Sequence, residues 1–221
     1  MAIVRRKDKQ AQMMVADLSA LVTVDNIQLK LKQKINIKGK HMRGCSLPPE
    51  GKMVLSCWYD GTIRFINKEG VISSQIGEDK TGSRVYDAVY IKDNNSVAVS
   101  SGFGRNKCIT IIDIVSNEVL TNISMDTHIF GMAIRGGSIY YCAGEKGLKK
   151  LNISDQSVRD IINRNVTCVY YVAISEDKLY YTNYKTQTVT CCDLHGTTQW
   201  EFNSDRVLQE PGGISVMGTC M

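Results

Sequence analysis

Hydrophobic and polar positions alternate along this chain in short runs, and the runs repeat. Four times a strand-like run closes on an acid or amide: Thr62-Ile-Arg-Phe-Ile-Asn67, Cys108-Ile-Thr-Ile-Ile-Asp113, Gly147-Leu-Lys-Lys-Leu-Asn152 and Thr188-Val-Thr-Cys-Cys-Asp193. The closing residues lie 46, 39 and 41 positions apart, and a period of about 40 to 45 residues is that of one four-stranded propeller blade. A second landmark precedes each run, at Gly44-Cys-Ser-Leu47, Asp87-Ala-Val-Tyr90, Gly131-Met-Ala-Ile134 and Tyr171-Val-Ala-Ile174, and recurs at Gly213-Ile-Ser-Val216. Its steps are 43, 44, 40 and 42 residues.

Between landmark and closing run stand a polar turn and a second strand rich in β-branched and aromatic residues, over 53–56, 97–100, 139–142 and 179–182. After the closing run, turns such as Asn67-Lys-Glu-Gly70 and Asp193-Leu-His-Gly196 lead to outer strands, 71–76 and 198–202 among them. No window sustains a helical period, so the pattern predicts an all-β chain. Val97-Ala-Val-Ser100 and Ile109-Thr-Ile-Ile112 read as strands covered on both faces, and Val71 to Ile76 as peripheral. Ala88, Ala133 and Ala173 fall in the first strands, where blades converging on an axis leave least room.

The predicted fold is therefore a β-propeller of four-stranded antiparallel blades. Six such units need about 250 residues, whereas these 221 residues hold four units and the first strand of a fifth. The reading is an incomplete propeller over residues 27–221, preceded by a linker or tail over 1–26. Ile27 to Ile37 alternates like an outer strand that would complete the last blade of a closed ring. An open arc exposes strand edges, which template pairing with other chains, so self-association or closure by a partner is expected.

Charge and chemistry narrow the function. Residues 1–43 carry ten Lys or Arg against three Asp, and residues 44–221 carry 17 basic against 19 acidic residues, so the net charge of +5 belongs to the beginning of the chain. Arg5-Arg-Lys7 with Lys9 reads as a solvated linker. Eight cysteines without a Cys-x-x-Cys, and three separated histidines, His41, His128 and His195, do not make a zinc site. The cysteines read as small buried hydrophobes, with Cys191 and Cys192 on opposite faces of one strand. First-strand positions near the axis offer one carboxylate, Asp87, where a metal-dependent hydrolase needs several. No catalytic residues, metal or cofactor are expected. The chain shows no signal-peptide pattern and no 18-residue apolar stretch, which predicts a cytoplasmic protein with no membrane partner; four Asn-x-Ser/Thr sequons read as chance.

The run from Arg43-Gly-Cys-Ser-Leu through Asp60-Gly-Thr-Ile-Arg, Tyr90 to Gly102, Cys108 to Asp113 and Tyr180 to Asp193 resembles the C-terminal NHL-type propeller of tripartite-motif-like proteins of bivalve molluscs. The resemblance covers about residues 20–216. In that family the propeller follows a RING finger, B-box modules and a coiled coil, none visible here, and it chooses partners or substrates for a ubiquitin ligase. The resemblance implies a non-catalytic protein-interaction domain. The alternatives are RNA binding, known for some NHL propellers, and a non-functional fragment.

The candidate interface is the rim formed by the loops joining second to third strands and those joining successive units. From the first set come Trp58, Tyr59, Phe103, Arg105, Lys107, Tyr184 and Lys185, and from the second Arg84, Tyr86, His128 and Phe130. Aromatic residues and Arg are the types that anchor protein interfaces. The rim is nearly neutral overall, which favours a protein or peptide partner over RNA, whose binders cluster positive charge.

Overall fold

The structure, a computed structural model, describes residues 12–16, 29–37, 41–82, 84–163, 169–204, 206 and 208–216. A two-stranded antiparallel sheet comes first, β1 (Gln12–Ala16) with β2 (Leu29–Lys34). Four four-stranded sheets follow. They are β3–β6 (Met42–Ser46, Met53–Cys57, Thr62–Ile66, Ile72–Ile76) and β7–β10 (Ala88–Ile91, Ser96–Ser100, Cys108–Asp113, Val119–Ser124), then β11–β14 (Met132–Arg135, Ser138–Cys142, Leu148–Asn152, Val158–Ile162) and β15–β18 (Val169–Ser175, Lys178–Asn183, Thr188–Asp193, Thr198–Asn203). In every sheet neighbours in space are neighbours in sequence and all pairs are antiparallel, so each is one blade of a β-propeller. Among the described residues helical backbone is confined to loops, at α1 (Glu78–Thr81) and the 3-10 turn Lys92–Asn94.

The repeated closing acid or amide has a structural cause, because its side chain shapes the turn that follows. Asp113 Oδ1 accepts the N–H groups of Val115 at 2.9 Å and Ser116 at 2.7 Å, and Asp193 Oδ1 accepts those of His195 and Thr197, both at 2.9 Å. Asn67 and Asn152 do the same for Val71 and Ser154. The bonds to residues two positions on, at Asp113, Asn152 and Asp193, are Asx turns, which let the chain reverse at low strain. The bonds hold the Asp113 and Asp193 carboxyls below the ordinary range.

Burial follows the blade order. β4, β5 and β8 are buried throughout, while β18 is exposed along its whole length. Separate apolar clusters fill each gap: Ile63, Phe65, Val97 and Ile112 between the first and second blades, Ile109, Ile111, Ile139 and Tyr141 between the second and third, and Leu148, Leu179, Tyr181 and Cys192 between the third and fourth. Cys57, Cys108, Cys142, Cys191 and Cys192 are buried free thiols and Cys45 is exposed. Cys192 belongs to the cluster facing the third blade and Cys191 does not, with a break in the β17–β18 register between them.

First strands of successive blades stand side by side, β3 by β7, β7 by β11 and β11 by β15. Two glycines permit the approach. A Cβ at Gly131 would lie 2.6 Å from the Tyr170 carbonyl oxygen and 2.7 Å from Tyr171 Cα, and one at Gly44 would lie 2.6 Å from Asp87 Cα. Asp87 ties the second blade to the third: Oδ1 accepts the Ala88 N–H and Oδ2 the Met132 N–H, each at 2.8 Å. Burial pushes its carboxyl up to about 7, against the downward pull of those two bonds.

Two expected strands take a different form. Ile27 to Ile37, read as an outer strand of a last blade, instead supplies β2, which pairs with β1 inside the stretch read as a linker. Ile35 and Ile37 then seal the outer side of the first blade against Met53, Leu55 and Ile66, because their alternation presents one apolar face. Gly213 to Val216, read as the first strand of a fifth blade, forms no strand. A first strand is fixed by the second strand it pairs with, and here the described chain has none; Thr182 Oγ1 instead donates to Gly212 O at 3.0 Å.

Two predictions follow from this packing. Gly131→Ala should destabilise by about 1–3 kcal/mol, the range for overpacking, and Gly212→Ala, with no atom within 4 Å of its added Cβ, by less than about 0.5 kcal/mol; urea unfolding measures both. Because the folded carboxyl of Asp87 titrates above its unfolded value, the folded state binds more protons in that window and stability falls as pH rises from about 4 to about 7. Asp87→Asn should remove that slope, read as a flatter unfolding midpoint against pH, while lowering stability by about 1–3 kcal/mol through one unsatisfied backbone N–H.

Candidate functional site

One repeat position builds the site, the residue immediately before each landmark: Arg43, Tyr86, Phe130 and Tyr170. The backbone there is held from both sides. Tyr86 N–H donates to Ser100 O and its carbonyl accepts the Ser56 hydroxyl, both at 2.7 Å. Phe130 N–H donates to Cys142 O at 2.9 Å and its carbonyl accepts the Ser100 hydroxyl at 2.7 Å. At the third junction no hydroxyl intervenes, and Gly131 N–H donates directly to Tyr170 O at 2.7 Å. Tyr86 and Phe130 are thus clamped between their own blade and the preceding one, Tyr170 is tied to the preceding blade, and the side chains converge.

The rings meet edge to face, the arrangement their quadrupoles favour. Tyr86 and Phe130 lie 5.2 Å apart between centroids, Phe130 and Tyr170 5.0 Å, Tyr170 and Tyr184 6.2 Å, and Phe103 and Phe130 4.7 Å. Tyr171 adds a ring 5.6 Å from Tyr86, and its hydroxyl donates to Arg43 O at 3.3 Å, joining the fourth blade to the first. Burial pushes the Tyr86 and Tyr171 hydroxyls up, so both stay protonated.

Exposure divides the eleven residues expected on the rim. Tyr86 at 5% and Phe130 at 2% form the floor, whereas Phe103 at 56% and Tyr184 at 45% stand above it. Trp58 and His128 are half-buried, and Arg84, Arg105, Lys107 and Lys185 are exposed. The Arg84 guanidinium lies 5.7 Å over the Trp58 ring and that of Arg43 lies 5.8 Å over Tyr86. A ring nitrogen of His128 sits 2.9 Å from Gly102 O, with Phe103 5.8 Å away. Tyr59 points toward His41, centroids 5.9 Å apart, and neither it nor Lys185 borders the hollows that the others enclose.

Three hollows open on this rim. The central one, about 540 Å³, is walled by Trp58, Phe103, Tyr170, Tyr171 and Tyr184, with Arg43 and Glu210 at its edge. A second, about 340 Å³, lies between the second and third blades, with Phe103, Phe130 and Tyr170 beneath Lys107, Asp126, Glu145 and Lys146. A third, about 470 Å³, lies between Trp58 and Phe103 and is bordered by Glu78, Arg84 and Arg105. Phe103 walls all three. Charges are paired locally: Lys146 meets Asp126 at 3.4 Å, and the Tyr184 hydroxyl donates to Glu210 at 3.1 Å, which raises the hydroxyl's pKa.

Arg43, Tyr170 and Tyr171 were not among the eleven expected site residues. A signal for Arg43 was present, since it occupies the same repeat position as Tyr86, Phe130 and Tyr170; Tyr171 stands where the other landmarks carry Gly or Asp. Among the described residues no group of three or more His, Cys, Asp or Glu is placed to hold a metal ion, and no helix is long and apolar enough to cross a membrane.

No protein-family model and no curated protein sequence matches this chain. Its fold has solved counterparts. A chain in the crystal structure of a nidogen/laminin complex superposes with a TM-score of 0.70 at 14% identity, covering 87% of this chain and 74% of that one. At that identity the likeness carries the β-propeller fold and no site residue.

Floor and post should separate in a stability experiment. Phe130→Ala, which empties a nearly inaccessible position, is expected to cost about 3–5 kcal/mol. Phe103→Ala, at a position more than half exposed, is expected to cost less than about 1 kcal/mol by denaturant unfolding, most of its ring being solvated already.

Proposed function

We propose that this propeller is a non-catalytic recognition domain whose aromatic rim docks a protein or peptide partner. The observation that carries the reading is Phe103, more than half exposed, held edge-on against Phe130 at 4.7 Å and bordering all three hollows. A large apolar side chain fixed in place while still open to water loses little entropy on binding, the character of an interface anchor. Clamped backbones beneath it supply the rigidity. In the setting that the tripartite-motif resemblance implies, the captured partner is a substrate or adaptor presented for ubiquitin transfer, and the chemistry resides in other modules.

RNA binding is the less favoured reading, because acidic side chains alternate with basic ones around the hollows. The test is partner capture by the chain and by a Phe103→Ala, Arg105→Ala, Tyr184→Ala variant, with and without RNase. All three residues are exposed, so circular dichroism should be unchanged. Loss of RNase-resistant capture in the variant is expected; undiminished capture removes this rim as the docking surface, and capture abolished by RNase reassigns the partner.

A further inference from the structure

The third hollow has more basic than acidic groups on its border, two arginines against one glutamate. Arg84 and Arg105 both border it, both are exposed, and neither has an ion-pair partner among the described residues. Arg84 is held in place by stacking on Trp58 at 5.7 Å. The Trp58 indole N–H is enclosed with no acceptor among the described residues. Arginine side chains only donate hydrogen bonds, so two cationic donor groups border this hollow beside the Trp58 ring. The hollow's one acid, Glu78, has a carboxylate oxygen 3.2 Å from where a Cβ at Gly61 would sit, packed against the Asp60-Gly61 turn. A set of donors beside an exposed phenyl ring lacks an anion with an apolar neighbour.

We infer that the groove between Trp58 and Phe103 takes an acidic side chain, Asp or Glu, from an extended segment of the protein partner, with an adjacent apolar side chain resting on Phe103. This rests on the reading of the rim as a docking surface. The carboxylate meets the guanidinium groups of Arg84 and Arg105. Stacking on the indole keeps Arg84 oriented before binding, which reduces the entropy lost when the pair forms. A nucleic-acid strand fits less well. A polyanion leaving this groove along the rim would meet Asp126 and Glu145 on one side and Glu210 on the other, whereas a short acidic segment needs only the local pair of cations.

The sequence holds two tryptophans, and Trp200 lies on β18, away from the rim hollows. Full-length chain carrying Trp200→Phe therefore reports on Trp58 by its emission. The probes are synthetic peptides sharing a Leu-Phe anchor and differing only in an adjacent Asp-Glu, Asn-Gln or Lys-Arg pair, a phosphoserine version, and a single-stranded oligouridine. The Asp-Glu peptide should perturb Trp58 emission and bind about ten-fold more tightly than the Asn-Gln and Lys-Arg peptides, with a margin that shrinks as salt rises from about 0.05 to about 0.5 M. Arg84→Glu with Arg105→Glu should reverse the order of the Asp-Glu and Lys-Arg peptides; Arg84→Gln with Arg105→Gln should level it.

Tighter binding of the phosphoserine peptide or of oligouridine than of the Asp-Glu peptide overturns the carboxylate assignment, as does an unchanged order in the charge-reversed variant. If all three flanks bind equally and Phe103→Ala releases them, docking at the rim stands and the acidic inference fails. Absence of binding by every probe removes both.

Discussion

The structure depends on how closely the first strands of neighbouring blades approach one another. At Gly131 and Gly44 no side chain fits between one blade and the next, so backbone groups of adjacent blades come within hydrogen-bonding reach. Two junctions are bridged through serine hydroxyls, Ser56 to Tyr86 O and Ser100 to Phe130 O, and the third directly from Gly131 to Tyr170 O. A buried carbonyl left without such a donor is costly. Register between blades is therefore set by polar groups, and the apolar clusters fill the space that this register leaves.

The same bonds place the candidate site. The carbonyls received at each junction belong to Tyr86, Phe130 and Tyr170, whose rings form the floor and wall of the rim. Blade junction and candidate site thus share one backbone position, with the main chain joining blades and the side chain contributing to the rim. Removing a floor ring disturbs packing, whereas the posts above it, Phe103 and Tyr184, leave about half of their surface open to water. Asp87 carries the principle furthest, for its carboxylate reaches two blades while lying beside Gly44 of a third.

Much of the fold was legible in the sequence because its signals are local. The closing Asn67, Asp113, Asn152 and Asp193 make their turns with the residues that follow, so their spacing shows in the chain without knowledge of tertiary contacts. Ile27 to Ile37 gave the right alternation and the wrong neighbour, since period two identifies a strand but not its partner. Gly213 to Val216 kept the landmark's composition without the ladder that makes it a strand. At the site, residue type and loop position pointed to Trp58, Phe103, Arg84 and Tyr184, which border adjoining hollows. They could not separate the floor from the posts, because Tyr86 and Phe103 are equally aromatic and differ only in what the next blade covers. Tyr171 reaches the rim only through packing across the axis.

Phe103 is a partition shared by three compartments. With that ring braced against Phe130, a single substitution there would merge or open all three spaces at once, so their dimensions are governed by one side chain and not by three independent walls.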